Sequence, residues 1–409
     1  MTDYTNLQNE LKQKPRVWLI TGVAGFIGSN LLEALLKADQ KVIGLDNFST
    51  GKEHNLSEVR KALTANQRNN FKFIKGDIRI LSECKRACAG VDYVLHHAAL
   101  ASVPLSIEDP LGCHENNVTG FLNLLLAARD QKVRRFVYAS SSAVYGDCED
   151  SLKVEDRVGQ SISPYAAGKS ANELYASVFS KTYGLGSIGL RYFNVFGPRQ
   201  DPNGAYAAVL PRWVTAMITR EPVSIYGDGS TSRDFLYIAN VVQANLLAAT
   251  TSNPAAINQV FNVALGTRTT LNELFEVIRS KLLPDYPHLQ NFRSHYQAFR
   301  PGDILHSQAD ISKAKTLLGY NPSHTLEQGL DAALDWYKNN LCGQGLGLSA
   351  KAVHKPNEML GLSRQGRNRD VSLVQKSGFP EHPLAQSVMS VLREVTILPC
   401  RGRIRVRNP

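Results

Sequence analysis

Short apolar runs alternate with amphipathic stretches along the first half of the chain. The runs lie at residues 17–20, 41–45, 71–74, 91–95 and 136–139. Between them, apolar residues recur at helical spacing, for example over residues 26–36 and 120–128. Strands that alternate with helices predict a parallel sheet with helices packed on both faces. The pattern therefore predicts an α/β fold built on a doubly wound parallel sheet.

The pattern loosens in the second half, where Gly-, Pro- and Asp-rich loops separate shorter elements. We predict a first domain over residues 15–193, to which segments near 234–265 return. A smaller C-terminal domain is predicted over residues 194–341. Residues 342–409 have no sustained period and are predicted to form a disordered basic tail.

Charge is distributed unevenly along the chain. The 409 residues include 46 Lys and Arg against 36 Asp and Glu, a formal net charge of +10. Residues 342–409 contain 11 of the basic and 4 of the acidic residues, a net +7, which leaves +3 for residues 1–341. The body therefore suits an anionic small molecule and does not require nucleic acid, whereas a nucleic-acid role of the tail stays open.

The cysteines and the apolar runs argue against several classes of protein. Six cysteines are scattered without the spacing of a metal site, so we expect reduced structural cysteines and no metal. No apolar run reaches membrane-spanning length, and the first residues lack the layout of a signal peptide. A cytoplasmic protein without membrane contact is expected.

A glycine-rich turn follows the first predicted strand and opens the first predicted helix. Its glycines are Gly22, Gly25 and Gly28. Glycines at this spacing let the backbone approach a pyrophosphate, and the helix N-terminus supplies free N–H groups. Asp46 ends the next strand, where a carboxylate binds the ribose hydroxyls of NAD and repels the 2′-phosphate of NADP. Lys52 lies nearby and weakens that preference, but NAD is the predicted cofactor.

Two further strand ends extend the predicted cofactor site. Its additional members are Asp77 and Ile78, placed to meet the adenine, and Ala98 and Ala99, small enough to leave room for the cofactor. His96 and His97 precede the two alanines. Because no third ligand is in register with them, we interpret these histidines as hydrogen-bonded structural residues rather than metal ligands.

Tyr165 and Lys169 are four residues apart and therefore share one face of a helix. A neighbouring ammonium favours the phenolate and lowers the pKa of a tyrosine from its ordinary value near ~10. Tyr165 is thus a candidate general base, with a hydroxyl from the serine triplet at 140–142 placed to share the proton. A catalytic role of this pair is favoured because a predicted nucleotide site precedes it in the chain.

With these features the chain resembles the extended short-chain dehydrogenase/reductase family, in particular its nucleotide-sugar 4-epimerases. The matching segments are residues 21–28, 46–51, 140–146, 165 with 169, 191–200, 226–235 and 300–303. The resemblance covers about residues 15–340 and does not reach the tail. The likeness is greatest to bacterial UDP-N-acetylglucosamine 4-epimerases that serve surface polysaccharide synthesis. It implies a Rossmann-type NAD-binding domain followed by a nucleotide-sugar-binding domain.

The resemblance also implies a mechanism in which NAD is a tightly bound catalyst. NAD takes hydride from sugar C4 while Tyr165 takes the hydroxyl proton, and hydride later returns to the other face of the 4-keto sugar. Ser141 holds the reacting oxygen, and Lys169 tunes Tyr165 and holds the nicotinamide ribose. The cofactor residues implied are Gly22, Gly25, Phe26, Ile27, Gly28, Asp46, Asn47, Ser49, Thr50, Gly51, Asp77, Ile78, Ala98, Ala99, Tyr165 and Lys169.

For the UDP-sugar, the resemblance implies a second set of residues. They are Ser102, Ser141, Ser142, Asn194, Arg233, Arg300, Asp303 and Ser307. Asn194 and the two arginines resemble the residues that hold the diphosphate, since forked guanidinium groups suit phosphate oxygens. Asp303 resembles the partner of the uridine ribose. Ser307 stands at a pocket-wall position, where a small residue leaves space for an N-acetyl group. Leu105 stands where close relatives carry an arginine, which weakens the match to enzymes of the uronic acid.

Other activities remain open within the resemblance. They are 4-epimerisation of the N-acetylated uronic acid or of UDP-glucose, and dehydration or decarboxylation of a nucleotide sugar. The family's dehydratases and decarboxylases carry an acid just after the catalytic serine, where this chain has Ser142 and Ala143. A non-catalytic NAD-sensing protein is a further alternative, but such proteins typically lose the Tyr/Lys pair.

The family usually dimerises through two helices of each subunit, so a homodimer is expected. The helices would lie at about residues 113–129 and 165–182. Their apolar stripes are Val118, Phe121, Leu122 and Leu125 on the first, and Ala167, Ala171, Leu174 and Val178 on the second.

Overall fold

The computed structural model describes residues 3–202, 208–299 and 305–341. The strands are β1 (Val17–Thr21), β2 (Lys41–Asp46), β3 (Phe71–Lys75), β4 (Tyr93–His96), β5 (Arg135–Ser141), β6 (Leu152–Lys153), β7 (Ser187–Tyr192), β8 (Val195–Phe196), β9 (Ser224–Tyr226), β10 (Ser232–Arg233), β11 (Leu236–Tyr237), β12 (Gln259–Val263), β13 (Thr269–Thr270), β14 (His295–Gln297) and β15 (Gln308–Ala309).

The first eight α-helices are α1 (Asp3–Gln13), α2 (Phe26–Lys37), α3 (Glu53–Lys61), α4 (Ala65–Asn69), α5 (Leu81–Cys88), α6 (Val103–Glu108), α7 (Pro110–His114) and α8 (Gly120–Asp130). The other six are α9 (Pro164–Tyr183), α10 (Val209–Thr219), α11 (Ile238–Thr250), α12 (Leu271–Leu282), α13 (Ser312–Leu318) and α14 (Leu326–Leu341). A π-helical turn at Glu115–Thr119 links α7 to α8, and 3₁₀ turns lie at Ser142–Tyr145, Pro254–Ala256 and Pro287–Asn291.

Seven strands pair in parallel in the order β3-β2-β1-β4-β5-β7-β12. The predicted α/β fold with a Rossmann-type parallel sheet is confirmed. The strand order reverses beside β1, whose neighbours are β2 and β4. In sheets of this kind, ligands bind outside the carboxyl ends of the strands at the point of reversal. The residues at those ends are therefore the first candidates for a site.

Strand β1 shows why a continuous apolar run forms a central strand. Trp18 and Ile20 pack in the core on one face of the sheet, and Leu19 packs in a separate core on the other face. Because successive side chains of a strand point to opposite faces, both faces must be apolar when helices cover both. Helix α2 buries Leu31 and Leu35 in the first core, and α8 buries Phe121 in the second.

The segments after residue 194 form short strand pairs and helices, and they also return to the sheet. β12 pairs with β7 at the edge of the sheet, and α11 packs against α2 and the strands β4, β5 and β7. The separate pairs are β6 with β15, β8 with β11, β9 with β14 and β10 with β13. The division into domains at 15–193 and 194–341 stays a prediction.

The predicted tail at residues 342–409, with its basic side chains, lies outside the described residues. Of the helices that the structure describes, none combines the length and apolar character needed to span a bilayer. In the described part of the chain, Cys84, Cys88, Cys113 and Cys148 are free thiols.

Candidate active site

The glycine-rich turn between β1 and α2 folds tightly against the end of β4. Gly22 has a φ of +69°, and a Cβ there would lie 2.8 Å from the amide nitrogen of Ala98. A Cβ at Gly28 would lie only 2.1 Å from the carbonyl oxygen of Gly22. Gly25 precedes α2 without a side-chain cap, so the first N–H groups of the helix have no side-chain partner. The turn therefore presents backbone donors and the positive end of a helix, as an anionic pyrophosphate requires.

Asp46, at the end of β2, is buried beside this turn. Its carboxylate accepts hydrogen bonds from the amides of Ala24 (2.9 Å) and Phe48 (2.8 Å). Burial raises the pKa of Asp46, and these backbone donors act in the opposite direction. A Cβ on Gly51 would lie 2.9 Å from both carboxylate oxygens, so glycine at this position leaves the Asp46 carboxylate accessible. Each oxygen retains a lone pair for a ribose hydroxyl.

One cleft brings together most of the predicted cofactor residues. It is lined by Gly22, Gly25, Leu45, Asp46, Asn47, Ser49, Thr50, Gly51, Gly76, Ile78, His97, Ala98, Ala99 and Asn116. The glycine cradle, the uncapped helix and the carboxylate match the parts of a dinucleotide, so these residues fit NAD. Phe26, Ile27 and Gly28 belong to the first turn of α2, directly after Gly25.

Asp77, predicted to meet the adenine, is held by two neighbouring side chains. Arg79 forms an ion pair with it at 2.7 Å, and the side-chain amide of Asn47 donates to it at 3.1 Å. The hydrogen bond from Arg79 lowers the pKa of Asp77 to about 2. Gly76 and Ile78, rather than Asp77, line the cleft. Lys52, expected near the ribose, forms an ion pair with Asp201.

The helix that carries Tyr165 begins at a strong N-terminal signal. The hydroxyl of Ser163 accepts from the amide of Ala166 (3.2 Å), and Pro164 occupies the first helical position. β5 ends at Ser141, whose hydroxyl accepts from the amide of Ala143 (3.1 Å) and forms a hydrogen bond with Tyr165. Helix and strand thus bring together two of the three predicted catalytic residues.

Lys169, the third, is buried against the end of β5. Its Nζ donates to the carbonyl oxygen of Ala139 (2.7 Å) and lies 5.8 Å from the centre of the Tyr165 ring. Burial lowers the pKa of Lys169 to about 8. Burial also raises the pKa of Tyr165, although the hydrogen bond with Ser141 acts to lower it. The pKa of Tyr165 is therefore raised and not lowered as the pairing with Lys169 predicts, because loss of hydration is the largest effect and Lys169 donates to Ala139 instead.

The lowered pKa of Lys169 predicts a pH dependence of NAD binding. The lysine is charged below its pKa of about 8 and neutral above it. Between pH 7 and pH 9 its protonated fraction falls from about nine-tenths to about one-tenth, so we expect affinity for NAD to fall about tenfold. Calorimetric titration of NAD-free protein checks this, with Lys169→Met as the control that should bind weakly and without this pH dependence. A flat profile in the unmodified protein would contradict the prediction.

A second cavity, of about 420 Å³, lies between the short strands and α10. Its lining residues include Asn194, Arg212, Trp213, Tyr226 and Arg233. The amide of Asn194 donates to the carbonyl oxygen of Asp234 (3.1 Å), and Arg233 donates to that of Ser232 (3.0 Å). Two guanidinium groups and an amide in one cavity suit a diphosphate. The predicted Arg300 and Asp303 lie outside the described residues.

The predicted serines occupy three different places. Ser102 caps α6, where its hydroxyl accepts from the amide of Leu105 (3.1 Å). Ser142 follows Ser141 and begins the 3₁₀ turn. Ser307 donates its amide to the carbonyl oxygen of Ser232 (3.1 Å), which places it beside the strand of Arg233.

Sequence reasoning missed two residues at these sites. Ser106, buried in α6, accepts at its hydroxyl from the amide of Tyr165 (3.1 Å) and donates to the carbonyl oxygen of Val103 (2.6 Å). Only the packing of α6 on α9 brings it there, so the local sequence carries no signal. Arg212 is the other, and it is exposed on α10. Its signal in the sequence is a single charged residue in an otherwise apolar helix.

His96, the last residue of β4, and His97, which follows it, make structural hydrogen bonds. His96 Nδ1 lies 2.7 Å from the hydroxyl of Thr21, and His97 Nε2 lies 3.2 Å from Asn245. Burial lowers the pKa of His97 to about 3, so the ring is neutral. Within the described ranges, no cluster of three or more His, Cys, Asp or Glu residues could hold a metal ion.

More than half of the chain matches one known protein family. Residues 18–264 match the family described as "NAD dependent epimerase/dehydratase family". The chain belongs to this family. It is an NAD-dependent isomerase, and its cofactor is NAD.

Three relatives show how far the similarity extends. The UDP-glucose 4-epimerase of Mycolicibacterium smegmatis is 35% identical over 329 residues, covering 78% of this chain and 98% of the relative. The structure of a UDP-N-acetylglucosamine 4-epimerase from Methanobrevibacter ruminantium, bound to UDP-N-acetylmuramic acid, is 39% identical with a TM-score of 0.72, covering 80% and 99%. That of the UDP-glucuronic acid 4-epimerase of Bacillus cereus, with UDP-glucuronic acid and NAD, is 32% identical with a TM-score of 0.69, covering 79% and 99%.

Proposed function

We propose that this family member is a UDP-sugar 4-epimerase and that it interconverts UDP-N-acetylglucosamine and UDP-N-acetylgalactosamine. The observation that carries the proposal is the meeting of Ser141 and Tyr165, with Lys169 beside them, at the end of β5. The NAD cleft opens at neighbouring strand ends. The cavity with Asn194 and Arg233 supports a nucleotide diphosphate. The relatives named as UDP-sugar 4-epimerases support the reaction class.

In the proposed reaction, the protein binds, orients and moves protons. When bound, NAD would supply hydride exchange at sugar C4, and the positive charge of the nicotinamide would favour the phenolate form of Tyr165. Tyr165 takes the proton of the 4-hydroxyl and later gives it back. The Ser141 hydroxyl holds the same oxygen, and Lys169 orients the cofactor ribose. Asn194, Arg233 and Arg300 hold the diphosphate while the 4-keto sugar turns.

The residues after Ser141 argue against elimination or decarboxylation. A dehydratase must remove the C5 proton and protonate the departing 6-hydroxyl, which requires an acid/base pair beside the sugar. This chain has Ser142 and Ala143 at that point. Neither side chain titrates near neutral pH, so epimerisation is the favoured reaction.

The N-acetylated substrate is supported by Ser307 and by one solved relative. Serine leaves room at the proposed pocket wall, and Ser307 lies beside β10, which carries Arg233. The relative named as a UDP-N-acetylglucosamine 4-epimerase is 39% identical to this chain. Epimerases of UDP-glucose and UDP-glucuronate are similar at 35% and 32%, so the test must include both sugars and the N-acetylated uronic acid.

A substrate panel read by proton NMR tests the proposal. We expect UDP-N-acetylglucosamine to be converted with a larger kcat/KM than UDP-glucose, UDP-glucuronate or the N-acetylated uronic acid. In Ser307→Tyr, kcat/KM for UDP-N-acetylglucosamine should fall at least about tenfold more than that for UDP-glucose, because the ring fills the space of the N-acetyl group. Ser280→Tyr, at an exposed position of α12, is the matched control. Equal losses on both sugars would contradict the pocket assignment, and formation of a dehydrated or decarboxylated product would contradict epimerisation.

We also propose a homodimer, with a corrected interface. Val118, Phe121 and Leu125 are at most 9% exposed, so most of the first predicted stripe belongs to the core and cannot face a partner. The exposed apolar residues of this region lie on α6, α7 and α9. They include Ile107, Leu111, Leu174, Tyr175 and Val178. Because α9 packs against both short helices, we propose that these side chains together form the dimer surface.

The proposed dimer surface can be tested by substituting two of its exposed residues. Leu174 and Val178 are 69% and 51% exposed, so replacing both by Asp should leave the fold intact but give a monomer in light scattering. The charge would have to be buried in the interface without a partner, which is costly. Ile80→Asp, at a 48% exposed site outside this surface, should leave the dimer unchanged. A dimer that survives the double substitution would exclude this surface.

A further inference from the structure

A buried charged cluster lies directly behind the candidate catalytic residues. Glu173 of α9 accepts from the hydroxyl of Ser140 (2.5 Å) and from Arg191 Nε (3.0 Å) and Nη2 (2.7 Å). The side chains of Arg191 and Glu173 are 6% and 14% exposed. Ser140 is 3% exposed and immediately precedes Ser141. The reaction outlined above uses none of these three groups.

The cluster joins the two elements that must meet for catalysis. On α9, Tyr165, Lys169 and Glu173 follow one another at intervals of four residues and share a face. Lys169 is bonded to the carbonyl oxygen of Ala139 on β5, and Glu173 to the hydroxyl of Ser140 on the same strand. Two successive turns of the helix are thus fastened to two successive residues of the strand.

Arg191 is itself firmly held, so it provides a fixed support for Glu173. It faces Ser140 in the register of β5 and β7. Its Nη1 donates to the carbonyl oxygen of Glu155 (2.9 Å), and its guanidinium lies 4.9 Å from the centre of the Tyr145 ring. The Tyr145 hydroxyl in turn donates to Asn262 (2.7 Å) on β12. Residues of β5 and β7 therefore meet α9 at the carboxylate, and Tyr145 links this cluster to β12.

We propose that Glu173 is a positioning residue which, through Ser140 and Arg191, fixes α9 on β5 and so sets Tyr165 against Ser141. The inference rests on the proposed function, because positioning matters only where these two side chains act together. A buried ion pair gives little net stability compared with apolar residues of the same size, whereas its directional bonds define one geometry. A displacement of about 1 Å at reacting groups can cost a large part of the rate.

Ser140→Ala is the informative substitution because it removes the bond to the strand and leaves the Glu173–Arg191 pair in place. We expect kcat to fall about tenfold, KM for the UDP-sugar to stay within about twofold, and NAD to remain bound through gel filtration. Ser140→Thr keeps the hydroxyl on a residue that strands accept, and it should restore kcat. Thr250→Ala is the matched control, since it removes a hydroxyl bonded to the carbonyl oxygen of Leu246 (2.7 Å) far from this cluster.

A second readout does not depend on turnover. In protein labelled with ¹³C at tyrosine Cζ, Tyr165→Phe identifies the Tyr165 resonance, which reports on the hydrogen bond with Ser141. This resonance should move in Ser140→Ala and keep its position in Ser140→Thr and Thr250→Ala. Positioning by the cluster is overturned if the resonance does not move in Ser140→Ala, or if kcat there equals that of Thr250→Ala. Failure of the unmodified protein to epimerise any UDP-sugar refutes the proposed function separately, while the resonance still tests the geometry.

Discussion

Replacing Tyr165 by Phe should lower kcat about 100- to 10,000-fold and leave NAD bound. The substitution removes one hydroxyl, which is the group proposed to take and return the proton of the sugar alcohol, and general acid–base groups contribute rate factors of about this size. The ring itself remains, so packing around α9 is kept. Turnover is measured by proton NMR with UDP-N-acetylglucosamine, and bound NAD is measured after gel filtration and denaturation.

Tyr175→Phe is the matched control for this prediction. Tyr175 lies on the same helix and is 38% exposed. Its replacement should change kcat less than about twofold. If Tyr165→Phe kept more than a tenth of the activity, another group would have to carry the proton and the proposed mechanism would be wrong.

Replacing Gly28 by Ala should abolish retention of NAD and lower stability. A Cβ there would lie 2.1 Å from the carbonyl oxygen and 2.8 Å from the carbonyl carbon of Gly22. Both are backbone atoms, so the clash cannot be relieved by rotating a side chain, and the turn must open. Overpacking of this kind costs about 1–3 kcal/mol. The opened turn also moves the N–H groups that the pyrophosphate requires. Thermal unfolding and the NAD content of the purified protein measure the two effects.

Gly168→Ala provides the comparison, because Gly168 also lies in a helix and is followed by a functional residue, Lys169. The closest atom to a Cβ at Gly168 would be Val118 Cγ2 at 3.5 Å, an ordinary contact. Alanine favours a helix over glycine by about 1 kcal/mol, so this variant should be as stable as the unmodified protein or more so, and keep NAD. Retention of NAD by Gly28→Ala at the unmodified level would show that the turn does not hold the cofactor as proposed.

Much of the architecture can be predicted from local sequence because the governing rules are local. The apolar run at 17–20 can be buried on both faces only as a central strand, and β1 occupies that place. Gly22 and Gly28 specify a turn in which a larger residue would clash with the backbone, so the NAD cleft is recognisable before any packing is known. Parallel pairing then brings the strand ends together, which makes Asp46 and Ala98 neighbours in one cleft.

The local sequence does not determine how deeply each side chain is buried. The spacing of Tyr165 and Lys169 predicts a shared helical face, and α9 provides it. The direction of the pKa of Tyr165 depends on how completely surrounding elements remove water, and there the expectation failed. The prediction that the apolar stripe of the first helix faces a partner subunit was wrong for the same reason. Its spacing is that of any amphipathic helix, and only packing reveals that Val118, Phe121 and Leu125 face the chain's own core.

The sequence alone therefore specified the order of elements, the cofactor turn and the chemical identity of the groups at the site. Tertiary packing decided which of those groups touch, which remain hydrated and which surface is left for a partner. Ser106, Arg191 and Glu173 are far apart along the chain, and their effect on Tyr165 exists only because α6, β7 and α9 meet around the end of β5. Contacts of that kind depend on distance in space, which residue spacing within one element does not encode.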